Sequence, residues 1–232
     1  MWAVLPIKNL ANVKTRLASV LSPAERRALF YCMVQDVLSA VTAVQALDGV
    51  LIVTRDPDIQ RVAAEFGVYV LRESANEGHN AAVARAASWL SARGEGGFMQ
   101  IPGDIPTVTA EELSDVLTVH GRERQRAFTI VPSLDYDGSN CVVCTPPDLI
   151  ELKFGPDSFR RHVDSAHAAR IACRIIKRPG IALDIDSPVD LARLATTPGD
   201  TRTHRFLEES GISWRVSICQ RADPPRGGVH DG

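Results

Sequence analysis

Four times within the first 121 residues a short apolar run is followed by a segment with helical start signals and helical apolar spacing. "AVLPI" precedes "SPAERRALFYCMVQDVLSAV", in which Ser22, Pro23 and Glu25 make a helix start and Leu29, Met33, Val37 and Val41 share one face. "GVLIVTRD" precedes "PDIQRVAAEFG", closed by Gly67; "VYVLRE" precedes "NAAVARAASWLSARG"; "GFMQIPGD" precedes "TAEELSDVLTVHG". Apolar strands that regularly alternate with helices predict an α/β fold with a largely parallel, helix-covered sheet. Ligands in such sheets bind beyond the carboxyl ends of the strands. After Gly121 the pattern changes. "RAFTIVPS" and "SNCVVCTPP" flank the turn-rich "LDYDG" and predict an antiparallel excursion. A helix over 157–170, a strand in "ARIACRIIKR" and a half-buried strand in "IALDID" follow. Then comes a helix begun by Ser187, Pro188 and Asp190, and a last helix near "TRTHRFLEESG". The reading is one domain over 1–214 and a disordered tail over 215–232, where apolar periodicity is lost.

The composition, 45% apolar with a formal net charge of -2, gives no electrostatic case for nucleic acid or an anionic membrane as partner. No apolar run reaches membrane-spanning length and no signal peptide is expected, so a cytoplasmic enzyme is the default. Cys32, Cys141, Cys144, Cys173 and Cys219 are too scattered for a disulfide scaffold. The C-V-V-C spacing of Cys141 and Cys144 lies in a predicted strand, which would point the two thiols to opposite faces rather than at one metal or redox partner.

Lys8, Lys14 and Arg16 follow the first strand, and three cations at a strand's carboxyl end suit a polyphosphate; a solvated basic loop is the alternative. Asp104, in "QIPGDIP", ends the fourth strand and either holds a divalent ion or caps a turn. Asp184 and Asp186 sit two residues apart on one face. Two such carboxylates repel, and one pKa should rise unless a cation lies between them; magnesium is the economical cation, and a pair of turn aspartates the alternative. Asp190 is assigned to the helix cap. "DGSN" and "FGPDSFRRH" are turns rich in donors for an oxyanion, or ordinary loops. No phosphate-binding P-loop, dinucleotide fingerprint or nucleophile–histidine arrangement is present, and the histidines suggest no zinc site.

Taken in order, "LPIKNLANVKTRLASVLSPAERRAL", "EGHNAA", "IPGDIP", "DGSN", "FGPDSFRRH" and "LDIDSPVDL" resemble the CofC/FbiD guanylyltransferase family over roughly residues 3 to 195. The resemblance implies a three-layer α/β/α nucleotidyltransferase fold (GT-A-like, of the nucleotide-diphospho-sugar transferase kind) with a mixed, mostly parallel sheet. It implies transfer of GMP from GTP to a phosphorylated three-carbon acid, in coenzyme F-420 biosynthesis. Family acids are 2-phospho-L-lactate, phosphoenolpyruvate and 3-phospho-D-glycerate. On this resemblance Asp104, Asp184 and Asp186 match metal-binding positions for Mg2+. Ser139 or Asn140, with Gly155 and Ser158, match the acid site. Lys14 and Arg16, with Lys8 beside them, match the loop that meets the triphosphate, and Asn80 lies near the nucleotide. The partners implied are GTP and the small acid, with no nucleic acid or membrane, and a homodimer is allowed. The run Asp135–Asn140 departs from the Gly-Thr-Gly-Thr-Asn of many members. Its polar side chains lean the reading towards 3-phospho-D-glycerate. A nucleotide-sugar glycosyltransferase of similar fold and a non-catalytic GTP-binding protein are the rival readings.

Overall fold

The computed structural model describes residues 1–8, 10, 13–73, 78–121 and 126–216. Strands β1 (Trp2–Pro6), β2 (Gly49–Thr54), β3 (Tyr69–Arg72) and β4 (Phe98–Gln100) alternate with helices α1 (Pro23–Thr42), α2 (Pro57–Glu65), α3 (His79–Ser91) and α4 (Ala110–His120), as the sequence pattern predicts. Strands β5 (Ala127–Pro132) and β6 (Ser139–Thr145), helix α5 (Ser158–Ala168) and strand β7 (Cys173–Ile175) follow. The short helix α6 (Pro179–Ala182), α7 (Pro188–Thr196) and α8 (Arg202–Glu209) complete the element order.

All seven strands form one sheet in the order β3-β2-β1-β4-β6-β5-β7. β6 runs antiparallel to both β4 and β5, and the remaining pairs are parallel. The antiparallel excursion is therefore present, and the sheet is mixed but mostly parallel. β1, β5 and β6 are buried along their whole length, as strands covered on both faces must be. Ala3 and Leu5 face one core with residues of α1, α2, α4, α7 and α8; Val4 faces the other with residues of α3 and α5. Cys141 and Cys144 fall into these two different cores. Burial raises both thiol pKa values, and their spacing is a strand periodicity.

The predicted helix starts are realised. Ser22 accepts from the Glu25 N–H while the Glu25 carboxylate accepts from the Ser22 N–H, and Ser187 and Asp190 repeat the arrangement at α7. Gly67 closes α2 at φ 66°.

Two strand expectations need correction. "ARIACRIIKR" forms a ladder only over Cys173–Ile175. "IALDID" is not a strand: Pro179 opens the one-turn helix α6, which takes Ile181 and Ala182 out of extended conformation. The buried-then-polar alternation of Leu183, Asp184, Ile185 and Asp186 survives without a ladder. This segment crosses the strand ends instead, with the Ala182 carbonyl accepting from Leu134 N–H and Ile185 N–H donating to the Asp104 carbonyl. In the predicted tail, Val216 is buried against the first core; 217–232, including Cys219, lie outside the described residues.

Candidate active site

The order of strands reverses between β1 and β4. β1 is followed in sequence by its neighbour β2 on one side, and β4 has been added on the other. Such a switch point opens a crevice beyond the carboxyl ends of the two strands. The loop after β1 and the loop after β4 line that crevice, a cleft of about 350 Å³ bounded by Lys8, Lys14, Arg16, His79, Asp104 and Asp186. A larger depression, lined by Met1, Asp48, Gly97 and Arg126, lies at the opposite ends of the strands, away from every predicted site residue.

Lys14 is the centre of the cleft. Its backbone is left-handed (φ 52°), a conformation uncommon outside glycine, at the start of the 3-10 turn Thr15–Leu17. Its ammonium lies 2.5 Å from Asp104 Oδ2 and 2.5 Å from Asp186 Oδ1. The side chain is only 6% exposed, so these two charge-assisted bonds replace its hydration. Burial alone would lower the Lys14 pKa, but the carboxylates of Asp104 and Asp186 outweigh it and hold the ammonium above its ordinary value. Arg16 is largely exposed, with Nη1 3.8 Å from Asp186 Oδ2, and Lys8 lines the same cleft from an exposed position.

Asp184 takes a different partner from Asp186. Burial raises its pKa to about 6 against the bond it accepts from Asn140, and the charges of Asp104 and Asp186 push the same way. The sequence argument required one of the paired carboxylates to rise unless a cation separated them. Here Lys14 serves Asp186, and Asp184 carries the rise. The Asn140 amide nitrogen lies 3.0 Å from Asp184 Oδ1 and 3.0 Å from the carbonyls of Ile181 and Ala182. It thereby ties the start of β6 to the acidic segment. Asp190 accepts from the N–H groups of Asp186 and Ser187 and belongs to the α7 cap.

Among the described residues, no group of three or more His, Cys, Asp or Glu side chains converges as a ready-made metal cage. Two carboxylates that already share one cation do fit magnesium, which takes one or two protein carboxylates and completes its shell with water and substrate phosphate.

The proposed acid-site residues form a second cluster beside this one. Ser139 and Ser158 are buried at the starts of β6 and α5. His162 Nε2 accepts from Lys153 N–H at 2.8 Å, so its proton sits on Nδ1, 2.9 Å from Ser139 Oγ. Burial, with Arg161 nearby, lowers the His162 pKa to about 4. Gly155 has φ +115°, a conformation that disfavours any side chain. Asn80 does not line the cleft: its amide brackets the backbone of Phe154, donating to the carbonyl at 3.3 Å and accepting from the N–H at 2.8 Å. Asn80 therefore positions the loop that carries Gly155 and Ser158.

Two histidines escaped the sequence argument. His79 lines the cleft, and its buried Nε2 has no partner among the described residues. Burial, with the Lys8 charge adding, lowers its pKa to about 4. Phe154 stacks edge-on to both His79 and His162, with centroids 4.7 and 4.8 Å away. The available signal was positional: His79 opens a helix directly after Gly78, where the chain enters the crevice.

Comparison with known proteins agrees with this architecture. A phosphoenolpyruvate guanylyltransferase of Conexibacter woesei is 37% identical over 193 residues, covering 83% of this chain and 86% of that protein. Another, from Sphaerobacter thermophilus, is 33% identical and covers 90% and 98%. A solved structure from Desulfovibrio desulfuricans G20, assigned to the nucleotide-diphospho-sugar transferases, superposes with a TM-score of 0.75 at 18% identity, covering 94% of this chain and 96% of that one. It shares the fold. The family model described as "Guanylyl transferase CofC like" matches residues 1–223, and the chain belongs to that family of nucleotidyltransferases.

Proposed function

We propose that this protein transfers GMP from GTP to the phosphate of phosphoenolpyruvate, releasing pyrophosphate, as a cytoplasmic step of coenzyme F-420 biosynthesis. The observation that carries the reading is the meeting, at the switch point, of Asp104 and Asp186, carboxylates that fit a divalent ion, with the cations Lys14, Arg16 and Lys8, which suit phosphates. The choice of acid follows the relatives named above and the structure of the Asp135–Asn140 run. Its polar groups are engaged within the protein: Asp135 accepts from Ser133 Oγ and Asp137 N–H, and Asp137 Oδ1 accepts from Asp157 N–H. That removes the reason for preferring 3-phospho-D-glycerate, which stays beside 2-phospho-L-lactate as an alternative acid.

A phosphate monoester loses its second proton near pH 6, so the acid's phosphate is an anionic nucleophile at neutral pH and needs no general base. The residues supply alignment and charge neutralisation. Asp104 and Asp186, with Asp184 adjoining, would hold Mg2+, which when bound neutralises and draws together the two substrates' phosphates. Lys14 and Arg16 stabilise charge that grows on the α-phosphate and departing pyrophosphate, and Lys8 extends the basic wall. Asn140 keeps Asp184 in place.

Pyrophosphate release from GTP and Mg2+, measured separately with each of the three acids, tests the assignment. Acid-dependent release at one pyrophosphate per guanylylated product supports it. Consumption of a sugar nucleotide in place of GTP, or GTP binding with no release, would instead favour the glycosyltransferase or the non-catalytic reading.

A further inference from the structure

Lys8 lines the cleft just past the end of β1, and Arg55 stands beside it just past the end of β2. The two strands pair in parallel with Pro6 opposite Val53, and the Ile7 N–H extends the ladder to the Val53 carbonyl. Two residues further on, Lys8 and Arg55 are therefore one strand spacing apart, about 4.8 Å. Asp56 pins this corner. Its Oδ2 accepts from the Leu10 N–H of the loop after β1 at 2.9 Å, and its Oδ1 accepts from the N–H groups of Asp58 and Ile59 at the start of α2. Asp58 is itself paired with Arg27 and Arg61. Arg55 is exposed and has no hydrogen bond or ion pair among the described residues, so its donors stand open at the rim of the cleft.

Strand order decides which part of a nucleotide comes to this corner. The proposed acid-site residues Ser139 and Ser158 stand on the β6 side of β4. Lys14, Arg16, Asp104 and Asp186, the groups suited to phosphates and their metal ion, gather beyond β1 and β4. A nucleotide whose phosphates lie at that centre, with the acid on the β6 side, has the β1 and β2 side left for its nucleoside. The remaining cleft wall, Pro6, Ile7, Phe30, Pro102 and Gly103, is uncharged and largely apolar, which suits the face of a purine. The edge of the ring then comes to Arg55. Guanine presents O6 and N7 on that edge, two acceptors that take a guanidinium through paired bonds; adenine places its N6 amino donor where O6 would be.

We propose that Arg55 reads the base of the nucleotide through O6 and N7 and so makes this protein take GTP in preference to ATP. This rests on the guanylyltransferase reading and adds to it the residue that selects guanine.

Pyrophosphate release with phosphoenolpyruvate is compared for GTP, inosine triphosphate and ATP in wild type, Arg55→Met and Arg72→Met. Inosine triphosphate keeps O6 and N7 and lacks only the 2-amino group of guanine. Arg72 is an exposed arginine at the end of β3, one strand further from the cleft, and controls for lost surface charge. Arg55→Met should lower kcat/KM for GTP and for inosine triphosphate alike by roughly 10- to 100-fold and leave that for ATP within about threefold. Arg72→Met should keep the wild-type ratio of GTP to ATP. Both variants should melt with wild type, because neither loses a bond among the described residues. An unchanged ratio in Arg55→Met would overturn the proposal. So would an equal loss for all three nucleotides with weaker inhibition by pyrophosphate, which would put Arg55 on the phosphates. Calorimetric titration of the acid-free protein with GTP and with ATP, in Mg2+, separates this claim from its premise. If no acid supports turnover, tighter binding of GTP than of ATP that Arg55→Met abolishes still supports the assignment. Equal binding of the two by wild type, or a preference that the variant retains, refutes it.

Discussion

Lys14 combines an unfavourable backbone conformation with a buried charge, and both are tolerated because Asp104 and Asp186 meet its ammonium. Replacing it by methionine leaves two carboxylates facing each other without their cation. Lys14→Met should reduce turnover by roughly 10²- to 10³-fold, read as pyrophosphate release at saturating substrates. Asp104→Asn, Asp184→Asn and Asp186→Asn keep side-chain shape but remove charge. Each should cost several powers of ten in turnover with an unchanged circular dichroism spectrum, and near-normal activity in all three would remove the acidic cluster from the reaction. Asp104 and the basic loop stood out in sequence because charge just past a strand's end is a local signal, and Asp184 and Asp186 because two carboxylates two residues apart are another. That Asp186 and not Asp184 would pair with Lys14 was not legible, since it depends on the Asn140 amide, more than forty positions earlier, engaging Asp184.

At the level of elements, apolar periodicity and capping residues determined the β1 to α4 succession, the antiparallel β5–β6 pair and the start of α7. The misreading of "IALDID" as a strand has a physical cause: its alternation reflects burial across the sheet's end, and alternation alone does not supply a hydrogen-bonding partner. What holds this segment is Gly180. Its N–H donates to Glu112 Oε1 at 2.8 Å and its carbonyl accepts from Thr107 Oγ1 at 3.2 Å. A Cβ there would run into the Glu112 carboxylate and the Thr107 carbonyl. Gly180→Ala should therefore destabilise the protein by about 1–3 kcal/mol in urea unfolding and lower kcat by shifting Asp184 and Asp186. Asn80→Ala acts on the other wall. By freeing the Phe154 backbone it should raise the KM for the acid more than that for GTP, whereas a direct nucleotide contact would show the reverse.

Among the described residues no helix is long and apolar enough to cross a membrane, and three histidines whose pKa values burial lowers tie stability to pH. Burial lowers the pKa values of His79, His120 and His162 to about 4, with Lys8, Arg174 and Arg161 respectively adding to the effect. These groups stay neutral in the folded protein while the unfolded chain takes up protons near pH 6.5. Stability should therefore be level above pH 6.5 and fall as pH drops from 6.5 to about 4. Asp184, raised to about 6, opposes this below pH 6 but is a single group against three. Urea midpoints between pH 7.5 and 4.5 check the slope. His120→Asn should flatten it, because that imidazole, whose nitrogens bond the hydroxyls of Thr129 and Thr145 at 2.9 Å each, is one of the groups that carry the slope. The claim on which the whole account turns is that the acid's own phosphate attacks the α-phosphorus of GTP in the Lys14 cleft. Phosphoenolpyruvate labelled with oxygen-18 in its non-bridging phosphate oxygens tests it by mass spectrometry of the products. The account predicts label in the new phosphorus–oxygen–phosphorus bridge and unlabelled pyrophosphate; labelled pyrophosphate, or no guanylylated acid at all, would contradict it.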